Sequence, residues 1–125
     1  MNAITKAQNA YGRDAQPIRT DRDTEYNAFA KITHQLRSAS SRGKEGFRDL
    51  ISALHDNRKL WTILAVDVAD KSNTLPKELR ARIVYLAEFT QQHSSKVLTH
   101  RATAEPLIEI NTAIMRGLHA GGVKK

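Results

Sequence analysis

Histidine is the residue type in this chain best suited to chemistry, because five histidines but no cysteines are present. His93 and His100 lie seven residues apart, a spacing that can place both on one face of a helix. A zinc site needs three or four ligands, however, and no other histidine has a supporting spacing. The chain also lacks an HExxH motif, a glycine-rich loop before a helix and a serine in a triad-like setting. The sequence therefore predicts no catalytic residue, no metal site and no cofactor, and we do not expect an enzyme.

Three polar residues, Asn57, His93 and Asn111, interrupt apolar stripes of helical spacing. A buried amide without a partner costs about 1–3 kcal/mol, so we expect Asn57 and Asn111 to be largely buried and hydrogen-bonded. We interpret all three as structural polar residues that fix the register of packed helices. A shared role in binding a ligand is the alternative interpretation.

Surplus apolar residues in the last predicted helix indicate a partner surface. Ile108 and Met115 lie a heptad apart, outside the core-facing stripe of that helix, and methionine adapts well to binding surfaces. The alternative is that these two side chains only widen a buried face. The core-facing stripe itself consists of Leu107, Ile110, Ile114 and Leu118.

The N-terminal segment carries a second candidate binding stripe, formed by Ile4, Ala7 and Tyr11. A helix from Asn2 to Tyr11 would be short and weakly apolar, and such a helix is marginal in water by itself. We therefore predict that residues 1–18 form a detachable segment that contacts the partner through these three side chains.

The elements that must position these residues are all predicted to be helices, since no stretch alternates apolar and polar residues long enough for a strand. After the N-terminal helix, Thr20 is predicted to cap the second helix. This second helix is expected to end in a loop over residues 38–43. The third helix ends at the turn-forming residues 70–73, and the fourth starts near Pro76 and runs to about Leu98. Thr103 opens the fifth, and glycines 117, 121 and 122 are expected to unravel it into a flexible basic tail, residues 119–125.

The economical packing of these stripes is an all-α, single-domain antiparallel bundle of about five helices spanning residues 1–125. The net charge of +7 makes an acidic protein or a nucleic acid a conceivable partner, but the aromatic residues mostly fall on core stripes. Direct RNA binding stays open as an electrostatic alternative. The absence of cysteine, of a signal peptide and of a long uncharged apolar run predicts a cytoplasmic protein that does not enter a membrane.

Many short motifs in a fixed order resemble the flagellar biosynthesis regulatory protein family FlaF of flagellated alphaproteobacteria. The strongest is LHDNRKLW at residues 54–61, and the likeness covers most of the chain. The others are the Ala-rich opening that ends in Ala10-Tyr11, NTLP at 73–76, LRA at 79–81, LAEFT at 86–90, LIEIN at 107–111 and MRGL at 115–118.

The resemblance implies a cytoplasmic factor needed for flagellin production and filament assembly. It also implies that flagellin is the bound partner, as for a secretion chaperone, because the terminal segments of flagellin are amphipathic and disordered before assembly. The alternative is a post-transcriptional regulator that acts through the antagonist FlbT or through flagellin messenger RNA, without holding flagellin as cargo.

Overall fold

Four α-helices and one 3-10 turn make up the part of the chain that the computed structural model describes, residues 21–123. Side chains are described for residues 26–117. The elements are α1 (Asp21–Ser41), the 3-10 turn (Gly43–Gly46), α2 (Phe47–Ala69), α3 (Lys77–Leu98) and α4 (Glu105–Val123). No strand occurs within residues 21–123, so the all-helical prediction is confirmed there. The predicted helix from Asn2 to Tyr11 and the Thr20 cap lie outside these residues, and the five-helix count stays a prediction.

Two predicted breaks in the helices are wrong. Most of the predicted loop at residues 38–43 is helical, because α1 continues to Ser41, whose hydroxyl donates to the Ser38 carbonyl at 2.9 Å. The helix ends where Gly43 adopts a φ of 59°, a left-handed conformation that glycine reaches without strain. The predicted unravelling at glycines 117, 121 and 122 does not occur, since α4 runs to Val123. Glycine weakens a helix interior by about 1 kcal/mol, which the packing of α4 can offset.

The turn between α2 and α3 follows the prediction and is built from local hydrogen bonds. The backbone N–H and hydroxyl of Ser72 donate to Asp70 Oδ1 at 2.8 and 2.7 Å, which lowers the pKa of the Asp70 carboxyl. The Asn73 side chain accepts the Leu75 N–H at 2.9 Å. Pro76 then occupies the cap position of α3, and its carbonyl accepts the N–H of Arg80 at 3.0 Å. The helix ends at Leu98, as predicted.

Each helix packs beside two neighbours, but the contacts are unequal. The pairs α1–α2, α2–α3 and α1–α4 pack closely, whereas α3 and α4 approach each other much less. Arg58 of α2 donates to the Gln91 carbonyl and to Ser95 Oγ of α3, both at 2.6 Å. One turn further along α2, Thr62 accepts a bond from the Gln91 side chain at 3.1 Å. The partners step backward along α3 as α2 advances, so these two helices run in opposite directions.

The core consists of two apolar clusters separated by a layer of polar side chains. Cluster one contains the Phe29–Trp61 aromatic pair, with ring centroids 5.5 Å apart, together with Leu60, Leu64, Val68 and Ile83. Cluster two contains Leu36, Ala53, Leu54, Val97, Leu107 and Ile108. Each of the four described helices contributes at least one fully buried polar residue, and in α1, α2 and α3 these residues lie in the sequence between the residues of cluster one and those of cluster two. We call this set the polar layer: Thr33 of α1, Asn57 of α2, Thr90 and Ser94 of α3, and Asn111 of α4.

The 3-10 turn generates a stability prediction, because Gly46 is buried against the end of α1. A Cβ at position 46 would collide with the carbonyl oxygen of Ala39, whereas a Cβ at Gly117 would meet no atom within 4 Å. We expect Gly46→Ala to lower the free energy of unfolding by about 1–3 kcal/mol, as overpacking does. The matched variant Gly117→Ala should raise it by about 0.5–1 kcal/mol, because alanine stabilises a helix interior. Urea unfolding measures both, and a Gly46→Ala protein as stable as the wild type would contradict the expectation.

Candidate functional site

The centre of the polar layer is a chain of hydrogen bonds that crosses the bundle from α2 to α4 and back. The Trp61 indole N–H donates to Asn111 Oδ1 at 2.9 Å, and Asn111 Nδ2 donates to Asn57 Oδ1 at 2.9 Å. All three side chains are fully buried. The prediction that Asn57 and Asn111 are buried and hydrogen-bonded is therefore confirmed, while their role in fixing helix register stays an interpretation.

His93 is the third predicted structural polar residue, and it connects α3 to the start of α4. Its Nε2 lies 2.8 Å from the carbonyl oxygen of Thr103. Because a carbonyl oxygen can only accept, Nε2 carries the proton of this bond. The imidazole also stacks on Phe89, with ring centroids 5.2 Å apart. His93 is half-buried at the edge of the core, whereas the two asparagines lie at its centre.

Ile108 and Met115, the predicted partner-binding residues of α4, are not exposed, which agrees with the alternative that they widen a buried face. Ile108 is 4% exposed and belongs to cluster two, and Met115 is half-buried against cluster one. The reason is that α4 packs closely on α1 as well as bordering α3, so its buried face is wider than one stripe. A partner could not reach Ile108 without opening the bundle. The other three predicted contact residues, Ile4, Ala7 and Tyr11, lie outside the described residues.

Among the residues described, no group of three or more His, Asp or Glu side chains is placed to hold a metal ion. His100 stacks on Phe47 at the end of α3, with ring centroids 4.7 Å apart, while His93 faces α4. A shallow pocket between α1 and α2 is crossed by the Arg42–Asp49 ion pair at 2.9 Å, and Asp56 also lines it. Within the same residues, no helix has the length and hydropathy needed to cross a membrane.

Exposed apolar side chains are concentrated in the half of the bundle around cluster one. Of the six large hydrophobic residues that are exposed in the described part of the chain, all but Ile51 lie in that half. Tyr85 and Val66 are the most exposed, at 66% and 63%. The large apolar α4 side chains described in this half are only half-buried, whereas the members of cluster one are buried. The exposed residues of this half are Tyr26, Val66, Leu79, Val84 and Tyr85, and the half-buried ones of α4 are Ile110, Ile114 and Met115.

Apolar side chains of α3 and α4, the two neighbouring helices that approach each other least, form what we call the α3–α4 seam. On α3 the seam residues share a side with His93 at helical spacing. The His93 ring bonds to the Thr103 carbonyl just before α4 begins, and this bond lies at one end of the seam. At Gly117 of α4, an added Cβ would meet no atom within 4 Å. The seam residues are Leu79, Tyr85, Leu86 and Phe89 of α3 with Ile110 and Ile114 of α4.

The seam places apolar side chains at the surface of the described part of the chain. Leu79 and Tyr85 are exposed, and the other four seam residues are half-buried on the core. Tyr85 and Phe89 make the apolar face of α3 wider than packing against α2 alone requires. This extra width is the feature of the sequence that indicates the seam. The small contact between α3 and α4 itself leaves no mark in the sequence pattern.

The hydrogen-bond chain generates a second stability prediction. Replacing Asn111 with leucine, which has a similar shape, would leave the Trp61 N–H without an acceptor and Asn57 Oδ1 without a donor. We expect Asn111→Leu to lower the free energy of unfolding by about 2–5 kcal/mol, since each unpaired buried group costs about 1–3 kcal/mol. Thr112→Val on the same helix is the control, because the Thr112 hydroxyl bonds to its own helix at 2.8 Å and should cost less than about 1.5 kcal/mol. An Asn111→Leu protein that unfolds at the wild-type urea concentration would argue against the chain.

Comparison with known proteins extends these observations. The family model described as flagellar protein FlaF matches residues 7–118, a range that contains α1, α2, α3 and most of α4. No curated protein matches the chain, and no solved structure matches it. The matched range includes the polar layer and every residue of the α3–α4 seam. Since the match extends over far more than half of the 125 residues, the chain belongs to the FlaF family of flagellar proteins.

Proposed function

We propose that the protein is a cytoplasmic flagellin-binding chaperone that promotes flagellin production and filament assembly, acting by binding and without catalysis. The observation that carries the proposal is the α3–α4 seam, an apolar surface on a protein of a flagellar family. Apolar patches that stay exposed on a small protein usually mark contacts with another molecule. The seam therefore replaces the buried Ile108 as the proposed site of contact.

The shape of the seam fits a helical partner. An amphipathic helix binds in a groove through apolar anchors at positions i, i+3 or i+4, and i+7. Leu86 and Phe89 on one side and Ile110 and Ile114 on the other offer half-buried apolar side chains to such anchors. A terminal flagellin segment, disordered before assembly, would fold into the seam between α3 and α4.

The charge around the seam is consistent with a protein partner. Arg82 and Lys96 are exposed and lie on the same side of α3 as His93, at steps of three or four residues along the helix. Positive charge on a rim speeds encounter with a partner whose polar face is acidic, while adding little affinity. The apolar seam and not the rim would thus supply most of the binding free energy.

The seam can be tested with variants that leave the core intact. We expect the double variant Leu79→Ser with Tyr85→Ser to weaken flagellin binding at least tenfold, about 1.4 kcal/mol, because both side chains are exposed and would be anchors. Isothermal titration with the cognate flagellin measures this. Val84→Ser is the matched control, since Val84 is 42% exposed on the other side of the same helix, and Leu79 is 39% exposed.

The proposal fails if the double variant binds flagellin as tightly as the wild type and the Val84→Ser control. Titration with FlbT and with flagellin messenger RNA, each at low and high salt, identifies the alternative regulator. Binding to RNA falls steeply as salt rises, because counterions are released from the phosphates. Binding in an apolar seam changes little with salt and has a negative heat-capacity change.

The N-terminal residues provide an independent test of the complete architecture, which we propose is an antiparallel bundle of about five helices. Deleting residues 1–13, which include Ile4, Ala7 and Tyr11, should leave the helical content and cooperative unfolding of the bundle intact. Flagellin affinity should change, because this segment is proposed to contact the partner or to compete with it. A deletion variant that does not fold, or one that binds with unchanged affinity, would refute a detachable segment.

A further inference from the structure

The polar layer contains more hydrogen-bonding capacity than its side chains satisfy among themselves. Four of its buried atoms have no protein partner: Thr33 Oγ1, Asn57 Nδ2, Thr90 Oγ1 and Ser94 Oγ. The four residues are between 0 and 1% exposed. An unpaired buried polar group costs about 1–3 kcal/mol, so four of them in one domain call for a physical explanation.

The direction of the hydrogen-bond chain determines which atom of Asn57 is left over. An indole N–H can only donate, so Asn111 must turn its oxygen toward Trp61 and its nitrogen toward Asn57. Asn57 must then present its oxygen to Asn111. The free end of the chain is therefore the Asn57 NH₂ group, and flipping the amide would break the bond to Asn111. This end needs an acceptor.

The three unpaired hydroxyls lie at the same height in the bundle as Asn57. Along α1, Thr33 falls between Phe29 of cluster one and Leu36 of cluster two. Along α3, Thr90 and Ser94 fall between Ala87 and Val97 in the same way. Asn57 occupies the corresponding position between Trp61 and Leu54. The layer thus brings one amide donor and three hydroxyls, each able to donate or accept, to one level.

We propose that the polar layer is a binding site for internal water, with a water oxygen accepting from Asn57 Nδ2 and water protons donating to the hydroxyls of Thr90 or Ser94 and Thr33. The chemistry of the layer selects this ligand. It contains no carboxylate to hold a cation and no cationic side chain to hold an anion, so a neutral molecule is favoured. A buried water makes two to four hydrogen bonds, which matches the number of unpaired groups.

Side-chain size supports the same assignment. The fully buried residues of the layer are threonine, serine and asparagine, whereas the three largest fully buried residues of the clusters are Trp61, Phe29 and Leu36. The layer is therefore polar and lined by side chains smaller than these three, and a polar site is where water enters a protein interior.

The site can be tested on the full chain by water ¹⁷O relaxation dispersion, which detects the oxygen of long-lived bound water and is blind to hydroxyl protons. We expect the wild type to show a dispersion that decreases in Thr90→Val and Ser94→Ala. The Thr112→Val control should retain it, because the Thr112 hydroxyl bonds to the Ile108 carbonyl outside the layer. A wild type without dispersion, or one whose dispersion survives both layer substitutions, would overturn the proposal.

Unfolding in urea gives a second test, because the midpoint of unfolding should shift in opposite directions in a hydrated and in a dry polar layer. In a hydrated layer, Thr90→Val removes a partner of the bound water and lowers the midpoint of unfolding. In a dry layer, the same change replaces an unpaired hydroxyl with a methyl group of equal shape and raises the midpoint. A raised midpoint in both Thr90→Val and Ser94→Ala would therefore count against bound water, whatever the flagellin affinity of the variants.

Discussion

The indole N–H of Trp61 can only donate a hydrogen bond, and this constraint orients the groups at the centre of the bundle. It requires the oxygen of Asn111, which in turn requires the oxygen of Asn57. The backbones of α2 and α4 do not pack directly on each other, yet this chain of hydrogen bonds joins their buried side chains. A shift of α4 by one residue would bring Ile110 or Thr112 to the position of Asn111 and leave two buried groups unpaired. Hydrophobic burial alone would tolerate such a shift more easily.

The two sides of the polar layer differ in how completely the helices cover them. Cluster two receives fully buried side chains from all four described helices, including Leu107 and Ile108 of α4. Cluster one receives buried side chains from α1, α2 and α3, while the described α4 residues beside it stay half-buried. Local opening is expected where few apolar contacts are buried, so the half around cluster one should be the less stable half. A protein that must accept a foreign helix would profit from such a division, because one half can adapt while the other maintains the fold.

The sequence was sufficient to predict the all-helical fold of the described residues and the two buried amides, but not which apolar side chains are exposed. Asn57 and Asn111 could be predicted to be buried and hydrogen-bonded, because an amide on the apolar stripe of a helix is buried and needs a hydrogen-bond partner there. Ile108 was misplaced because periodicity gives the direction of a side chain relative to its own helix, and not the number of neighbours around that helix. The seam depends on the small contact between α3 and α4, which arises from packing between distant segments. Gly117 was predicted to end the helix because glycine has a low helix propensity, yet α4 continues past it to Val123.

The acceptor of the His93 bond has a consequence for the junction of α3 and α4. Nε2 donates to the backbone carbonyl of Thr103, so the bond does not depend on the side chain at position 103. It joins α3 to the segment just before α4, and these two helices approach each other much less than the other packed pairs. A change of residue type at position 103 would therefore leave this link between the two helices in place, whereas loss of the imidazole would remove it.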